Sequence, residues 1–159
     1  MSQFTHLDQE GNPNMVNVGE KAVTRRMARA RSVVVLGDEI MDQLEQEELH
    51  TKKGPVFQTA ILAGIMASKK TGELIPLCHP LSLDNCDVEI HVNEAREVII
   101  DCTARVTAKT GVEMEALTGA TVAALTVYDM CKAFSHDILI KETKLMEKQG
   151  GKRDFKRQE

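Results

Sequence analysis

The sequence predicts an α+β fold in which helices cover one face of an antiparallel sheet. Two neighbouring segments alternate apolar and polar residues as strands do, and a long segment after them repeats apolar residues at helical spacing. The predicted order β-α-α-β-β-α-β contains the split βαβ plan of a ferredoxin-like sheet, with one additional helix. We expect residues 1–159 to form a single domain, because a chain of this length is too short for two ordinary ones.

The N-terminal third begins with a predicted arm and continues into a strand and two helices. Residues 1–30 are polar, contain glycine and proline and lack a clean period, which predicts a mobile arm. The β-branched run Arg31–Leu36 predicts the first strand. Residues 38–49 carry apolar side chains at helical spacing and predict a first helix. A second predicted helix has Pro55 at its first position and ends at Gly72.

The remainder of the chain contains a proline-rich loop, a hairpin and the longest helix. Residues 74–81, reading LIPLCHPL, are apolar, but their two prolines exclude a regular helix or a central strand. Residues 88–92 and 98–106 alternate with period two on either side of a short loop, which predicts a β-hairpin. Residues 111–134 predict a long helix, and a last strand begins at Ile138.

Composition excludes several classes of protein. The formal net charge is −4 and aromatic residues make up only 3% of the chain, whereas a nucleic-acid groove needs a basic excess and stacking rings. No apolar stretch approaches the length of a transmembrane helix. The four cysteines form no CxxC pair, so neither a metal site nor a redox dithiol is indicated. We therefore expect a cytoplasmic protein with reduced thiols that binds neither nucleic acid nor a membrane.

The long helix carries acidic residues near both ends. Thr110 followed three residues later by Glu113 fits a capping box, which favours a structural role for Glu113 over a catalytic one. Glu115 lies within roughly 40° of Asp129 around the helix axis. The two residues are about 21 Å apart along the helix, which is too far for one small substrate to span readily. If both act, we expect one site completed across a subunit interface.

Five side chains are candidates for chemistry, each with a structural alternative. Asp129 and Lys132 can form an ion pair on the helix surface, and such a pair usually marks a solvated face. Their apolar neighbours favour partial burial instead, which would tune the pKa of the lysine. Cys78 and His79 lie between two prolines, which stiffen the loop and could hold a hydrogen-bond donor in a fixed geometry. The structural alternative is a histidine and a thiol that are simply buried in the loop. Lys53, before a helix N-terminus, either meets an anion or is an ordinary surface lysine.

Several motifs are distinctive when they are taken in chain order. They are Lys53-Gly54, residues 75–81 (IPLCHPL), 109–118 (KTGVEMEALT), 124–133 (ALTVYDMCKA) and 150–152 (GGK). Through these motifs the chain resembles the MoaC family, the cyclic pyranopterin monophosphate synthases of molybdenum cofactor biosynthesis, over nearly its whole length. The tail departs from the family's Gly-Gly-Lys-Ser-Gly, because Arg153 and Asp154 follow Lys152 here.

The resemblance implies a lyase that acts after a radical SAM enzyme. Its substrate would be 3′,8-cyclo-7,8-dihydroguanosine 5′-triphosphate, and its products cyclic pyranopterin monophosphate and pyrophosphate. It implies a homohexamer, a trimer of dimers with sites at the dimer interfaces. The sequence itself requires no cofactor, and Mg²⁺ could accompany the triphosphate. Asp129 matches the family's active-site aspartate, and Lys53 and Lys132 match the general acid and base. The implied substrate contacts are Leu77, Cys78, His79, Glu113, Met114 and Glu115, with Arg26 and Lys21 facing the triphosphate.

Two alternatives to an enzyme stay open. A non-catalytic regulatory domain of ferredoxin-like fold would bind a small effector at a subunit interface without turning it over. An RNA-binding module on the same fold is disfavoured by the acidic isoelectric point and by the lack of stacking aromatic residues in the predicted strands.

Overall fold

A five-stranded antiparallel sheet forms the centre of the computed structural model, which describes residues 6–159. The strands are β1 (Thr24–Val35), β2 (His50–Thr51), β3 (Gly54–Pro55), β4 (Asn85–Val92), β5 (Val98–Ala108), β6 (Leu139–Gln149) and β7 (Phe155–Lys156). The helices are α1 (Asp38–Met41), α2 (Val56–Ser68), α3 (Thr71–Leu74) and α4 (Glu113–Cys131). The sheet order is β4-β5-β1-β6-β7, and β2 pairs only with β3. Apart from the short β7, this is the ferredoxin-like order, so the predicted fold class is confirmed.

The helices α2 and α4 pack together over one face of the sheet. On β1, the side chains that point toward them are small and buried, including Ala28, Ala30 and Ser32. The helices themselves meet at Gly64 and Gly119. A Cβ atom built on Gly119 would lie 2.3 Å from Ser68 Oγ and 2.5 Å from a cysteine sulfur on β5. This close approach fixes α4, whose two ends carry the candidate site residues.

The opposite face of the sheet carries charged side chains. The carboxylate of Asp101 on β5 accepts two hydrogen bonds from Arg31, at 2.9 and 2.8 Å, and one from Arg29 at 3.3 Å. Asp101 is buried, so this paired geometry satisfies a charge that would otherwise be costly. The arginines on β1 therefore belong to the sheet and not to a polar arm.

Several predicted boundaries were wrong. The first strand begins at Thr24, seven residues before the predicted start, because its backbone pairs with β5 from Thr24 onward. Ala28 and Ala30 are buried beneath the helices, whereas Arg29 between them faces Asp101 on the other side of the sheet. Of the predicted arm, residues 1–5 lie outside the described part of the chain. Residues 6–23 contain one isolated bridge, between Leu7 and Pro13, and their mobility stays a prediction.

The first helix is also shorter than predicted. It ends at Met41, well before residue 49, and the positive φ angles of Gln46 (49°) and Glu47 (64°) exclude a helix through that part of the predicted span. Pro55 precedes the second helix and does not open it. The hairpin, the long helix, the irregular loop after Leu74 and the last strand are confirmed within a few residues. Within residues 6–159, no helix is long and apolar enough to cross a membrane.

Candidate active site

Three of the predicted site residues form one cluster beside the C-terminal end of α4. The Lys132 ammonium lies 2.7 Å from one carboxylate oxygen of Asp129, and the Lys53 ammonium lies 2.9 Å from the other. Asp129 occupies the last turn of α4, Lys132 follows the helix, and Lys53 lies in the turn between β2 and β3. Helical spacing alone predicted the pair of Asp129 and Lys132, and Lys53, which is 76 positions from Asp129 in the chain, completes the cluster.

Electrostatics in this cluster separate the roles of its members. The hydrogen bonds from Lys132 and Lys53 lower the pKa of Asp129 to about 2, so its carboxylate stays ionised through the neutral range. Asp129 in turn raises the pKa of Lys132. Lys132 is therefore an ammonium group that can donate a proton as it stands, and it can accept one only after losing its own.

The predicted partial burial of this pair is wrong for the single chain. The side chains of Lys132 and Asp129 are 56% and 50% exposed. The last turn of α4 directs Val127 and Cys131 into the core and leaves Asp129 facing outward. The cluster lies on the wall of a cavity of about 490 Å³, to which the half-exposed ring of Phe134 adds an apolar side.

A second cavity, of about 280 Å³, lies at the other end of α4. It is lined by most of the predicted substrate contacts, which are Lys21, Leu77, Cys78, His79, Glu113, Met114 and Glu115. The proline-bracketed loop, the first turn of α4 and the N-terminal arm bring these side chains together. Arg26 lines an adjoining cavity of about 420 Å³, and Glu113 borders both.

The surroundings of Glu115 and Cys78 raise the pKa of both groups. Glu115 is only 3% exposed, and burial, with the nearby charge of Glu113, raises the pKa of its carboxyl group. Burial and the charge of Glu115 likewise raise the pKa of the Cys78 thiol. This geometry does not activate Cys78 as a nucleophile, because the thiolate is the reactive form. Ser68 fixes the backbone at this turn by donating a 2.9 Å hydrogen bond to the Glu115 carbonyl.

His79 ties the N-terminal arm to the second cavity. Its Nε2 lies 2.7 Å from the carbonyl oxygen of Val16. Since a carbonyl can only accept, Nε2 carries the hydrogen, and Nδ1 is left as an acceptor in the neutral ring. Lys109 adds a second tie by donating to the carbonyl of Gly19 at 2.6 Å. The arm thus forms the part of the cavity wall that includes Lys21.

The predicted capping box at the start of α4 is wrong. Val112 precedes the helix and no side chain caps it; the Glu113 carboxylate lies 3.1 Å from the Lys148 ammonium instead. Lys148 is a site residue that the sequence analysis missed. The pattern along β6 gave no signal for it, because two irregularities in the pairing with β1 interrupt the alternation of this strand.

The adjoining cavity is strongly basic. It is bordered by Arg26, Lys148, Lys152 and Arg153, with Glu113 as the acidic member. The Arg26 guanidinium is oriented by the carbonyl oxygens of Ala108 and Lys109, each 3.3 Å away. The tail is held against β1, where Thr24 donates to the Gly150 carbonyl at 2.8 Å. An anion such as a phosphate chain fits this set of cations.

The two ends of α4 are not brought together within one chain. The helix runs unbroken from Glu113 to Cys131, so Glu115 and Asp129 remain about 21 Å apart. Among residues 6–159, no group of three His, Cys, Asp or Glu side chains is placed to hold a metal ion. The candidate site therefore consists of two halves, a lysine–aspartate half and a half formed by the arm, the proline-bracketed loop and the basic tail.

Comparison with known proteins finds relatives that match nearly the whole chain. The model of the MoaC family matches residues 15–151. A cyclic pyranopterin monophosphate synthase from Xanthomonas campestris pv. campestris (strain B100) is 54% identical over 154 residues, covering 97% of this chain and 93% of that protein. A molybdenum cofactor biosynthesis bifunctional protein from Synechocystis sp. is 50% identical over 95% of this chain and 45% of its own length. Molybdenum cofactor biosynthesis protein 1 from Dictyostelium discoideum is 45% identical, and this chain covers 27% of it.

Proposed function

The chain belongs to the MoaC family, and we propose that it acts as a cyclic pyranopterin monophosphate synthase in molybdenum cofactor biosynthesis. The proposed reaction is that of a lyase, which converts 3′,8-cyclo-7,8-dihydroguanosine 5′-triphosphate to cyclic pyranopterin monophosphate and pyrophosphate. The observation that carries the proposal is the carboxylate of Asp129 held between two ammonium groups on the wall of a cavity.

The lysine–aspartate half suits the proton transfers of this reaction. Rebuilding a purine ring as a pterin requires protons to be added and removed at several atoms, which positioned acids and bases accelerate. Lys132 is charged and can act as the acid, and its neutral form can act as the base once the proton has left. Asp129 is too weak a base to share this task near neutral pH, so it holds Lys53 and Lys132 in place and favours the charged form of Lys132.

The other half suits the triphosphate and the ring. Positive charge is needed where pyrophosphate leaves, and Arg26, Lys148 and Lys152 line one cavity beside Lys21. Mg²⁺ would arrive with the triphosphate, and the proposal requires no resident cofactor. Glu115 and His79 carry polar atoms that can form hydrogen bonds with the polar edge of the ring.

A second copy of the chain would join the two halves. We assign the working form to a homohexamer, a trimer of dimers, in which one subunit's lysine–aspartate half faces its partner's second cavity. Three observations support this arrangement: the separation of about 21 Å, the exposure of the cluster, and exposed apolar side chains on the outer helix faces, which are Leu62, Met66 and Leu125. Desolvation at such an interface would strengthen the electrostatic effect of Asp129 on both lysines.

Single-turnover assays on lysine variants test the proposed acid and base. Lys53→Ala and Lys132→Ala should each lose at least about a hundredfold in rate, since general acid–base catalysis contributes factors of this size. Lys141→Ala is the matched control, because Lys141 is also an exposed lysine paired with a carboxylate, 2.7 Å from Glu97. A near-normal rate in Lys132→Ala would remove that residue from the mechanism.

Co-expression of two inactive variants tests the shared site. Lys132→Ala disables one half, and Glu115→Ala disables the other. In randomly mixed dimers, half of the dimers are heterodimers with one intact site of two, so about a quarter of the normal activity should return. No recovery in verified mixed dimers would place each site within one subunit and contradict the proposed assembly.

A further inference from the structure

Glu48 is a buried carboxylate with three backbone donors directed at it. One of its oxygens accepts hydrogen bonds from the amides of Leu49 and Phe57, both at 2.8 Å, and the other accepts from the amide of Gln58 at 3.1 Å. The residue is 9% exposed. Neither the sequence patterns nor the chemistry assigned above uses it.

These contacts cap the second helix from a distance. Phe57 and Gln58 are the second and third residues of α2, whose amides have no partner inside the helix. The residue in the N-cap position is a proline without a side-chain hydrogen bond, so the Glu48 carboxylate takes over that role and its negative charge faces the positive end of the helix. The Val56 amide completes the closure by donating to the Leu49 carbonyl at 2.8 Å.

The closed segment carries Lys53. The chain leaves Glu48, forms the β2–β3 hairpin, and returns to α2 at Val56. Lys53 lies in the turn of this hairpin, where its amide donates to Thr51 Oγ1 at 3.1 Å and its ammonium reaches Asp129 at 2.9 Å. Both ends of a short loop are therefore anchored at one buried carboxylate, and the ammonium lies at the tip of the loop.

We propose that Glu48 is the positioning residue for Lys53, because its carboxylate closes the loop that holds the Lys53 ammonium against Asp129. Its effect on catalysis rests on the function proposed above, whereas its effect on the geometry of Lys53 does not. A carboxylate is needed, since three donors converge on it. A glutamine would turn its own amino group toward the Gln58 amide.

The geometric effect can be measured without turnover, from the rate at which an amine-acylating reagent modifies Lys53 at pH 8, quantified by peptide mass. Glu48→Gln should raise this rate about two- to fivefold, the size expected when an exposed ion pair is lost. In an Asp129→Asn background, which already frees the ammonium, Glu48→Gln should add no further rise. Glu45→Gln is the control: it removes the same charge from an exposed side chain that has no hydrogen-bond or ion-pair partner within residues 6–159, and Lys53 should react as in the unaltered chain.

The catalytic effect is measured in the same variants. Glu48→Gln should lower kcat by about 10- to 100-fold with KM within about twofold, because a misplaced catalytic group slows the reaction step more than binding. In a Lys53→Ala background the same change should lower the rate less than twofold, whereas a general loss of structure would lower it in both backgrounds. If Glu48→Gln does not fold, Glu48→Asp keeps the charge on a shorter arm and should shift both readouts in the same direction, by less.

The outcomes separate the two proposals. Unchanged Lys53 reactivity in a folded Glu48 variant overturns the positioning role, whatever the enzyme assay gives. An unaltered chain without turnover, in which Glu48→Gln still raises Lys53 reactivity, overturns the proposed synthase activity but keeps the role of Glu48.

Discussion

Replacing Gly119 by alanine is predicted to separate the two helices on which the candidate site depends. The added Cβ would lie 2.3 Å from Ser68 Oγ and 2.5 Å from Cys102 Sγ, whereas ordinary contacts begin near 3.4 Å. Both neighbours are buried, and Ser68 is held by its hydrogen bond to the Glu115 carbonyl. Relief therefore requires a movement of roughly 1 Å or the loss of that hydrogen bond.

The expected cost follows from three contributions to the free energy of unfolding. Overpacking of a buried site costs about 1–3 kcal/mol. Loss of the Ser68 hydrogen bond adds about 1 kcal/mol, and the better helix propensity of alanine returns about 1 kcal/mol. Gly119→Ala should therefore lower the free energy of unfolding by about 1–3 kcal/mol, measured by urea unfolding followed by circular dichroism.

A background that removes the two clashing atoms should reverse this result. In Ser68→Ala, Cys102→Ala protein, Gly119→Ala should be neutral or stabilising by up to about 1 kcal/mol, because only the helix propensity and a close carbonyl contact with Gly64 remain. Equal stability of Gly119→Ala and the unaltered chain would refute the packing argument. A penalty of the same size in both backgrounds would refute the identity of the clashing atoms.

Two further predictions concern the half-site at the start of α4. Burial raises the pKa of Glu115, so ionised Glu115 destabilises the folded chain. This cost is present at pH values above the ordinary pKa of 4.5 and absent below it. Glu115→Gln should therefore raise the melting temperature at pH 8 and have little effect at pH 4. An equal gain at both pH values would show that the ionisation of Glu115 is not what destabilises the fold. His79→Ala frees the Val16 carbonyl and should speed tryptic cleavage at Lys21, whereas the exposed His91→Ala should not; equal cleavage rates would show that His79 does not hold the arm.

The sequence predicted the parts of the fold in which one period dominates. Strict alternation gave the hairpin, and long helical spacing gave α4. The start of β1 was missed because Arg25, Arg26 and Arg29 look like part of a polar arm in the sequence, and only the pairing of their backbone with β5 makes them strand residues. The first helix was overextended because a turn formed by Gln46 and Glu47, both good helix formers, depends on positive φ angles that composition does not reveal.

The candidate site was predictable where its residues are neighbours in the chain. Asp129 and Lys132 are three residues apart, so helical geometry alone places them together. The addition of Lys53 depends on the hairpin between β2 and β3, which no local pattern indicated. Glu113 was interpreted as a capping residue because its partner, Lys148, lies on a distant strand. The burial of Asp129 and Lys132 was also predicted wrongly, because tertiary packing sets the direction in which the last turn of α4 faces.

Conversion of the proposed substrate tests the central claim most directly. Purified chain would be mixed with freshly prepared 3′,8-cyclo-7,8-dihydroguanosine 5′-triphosphate, with pyrophosphate and cyclic pyranopterin monophosphate followed by mass. We expect both products in equal amounts, formed at rates that fall together in Lys53→Ala and Lys132→Ala. Tight binding of the substrate without either product would contradict a synthase, and the two half-sites would then belong to a regulatory binding domain.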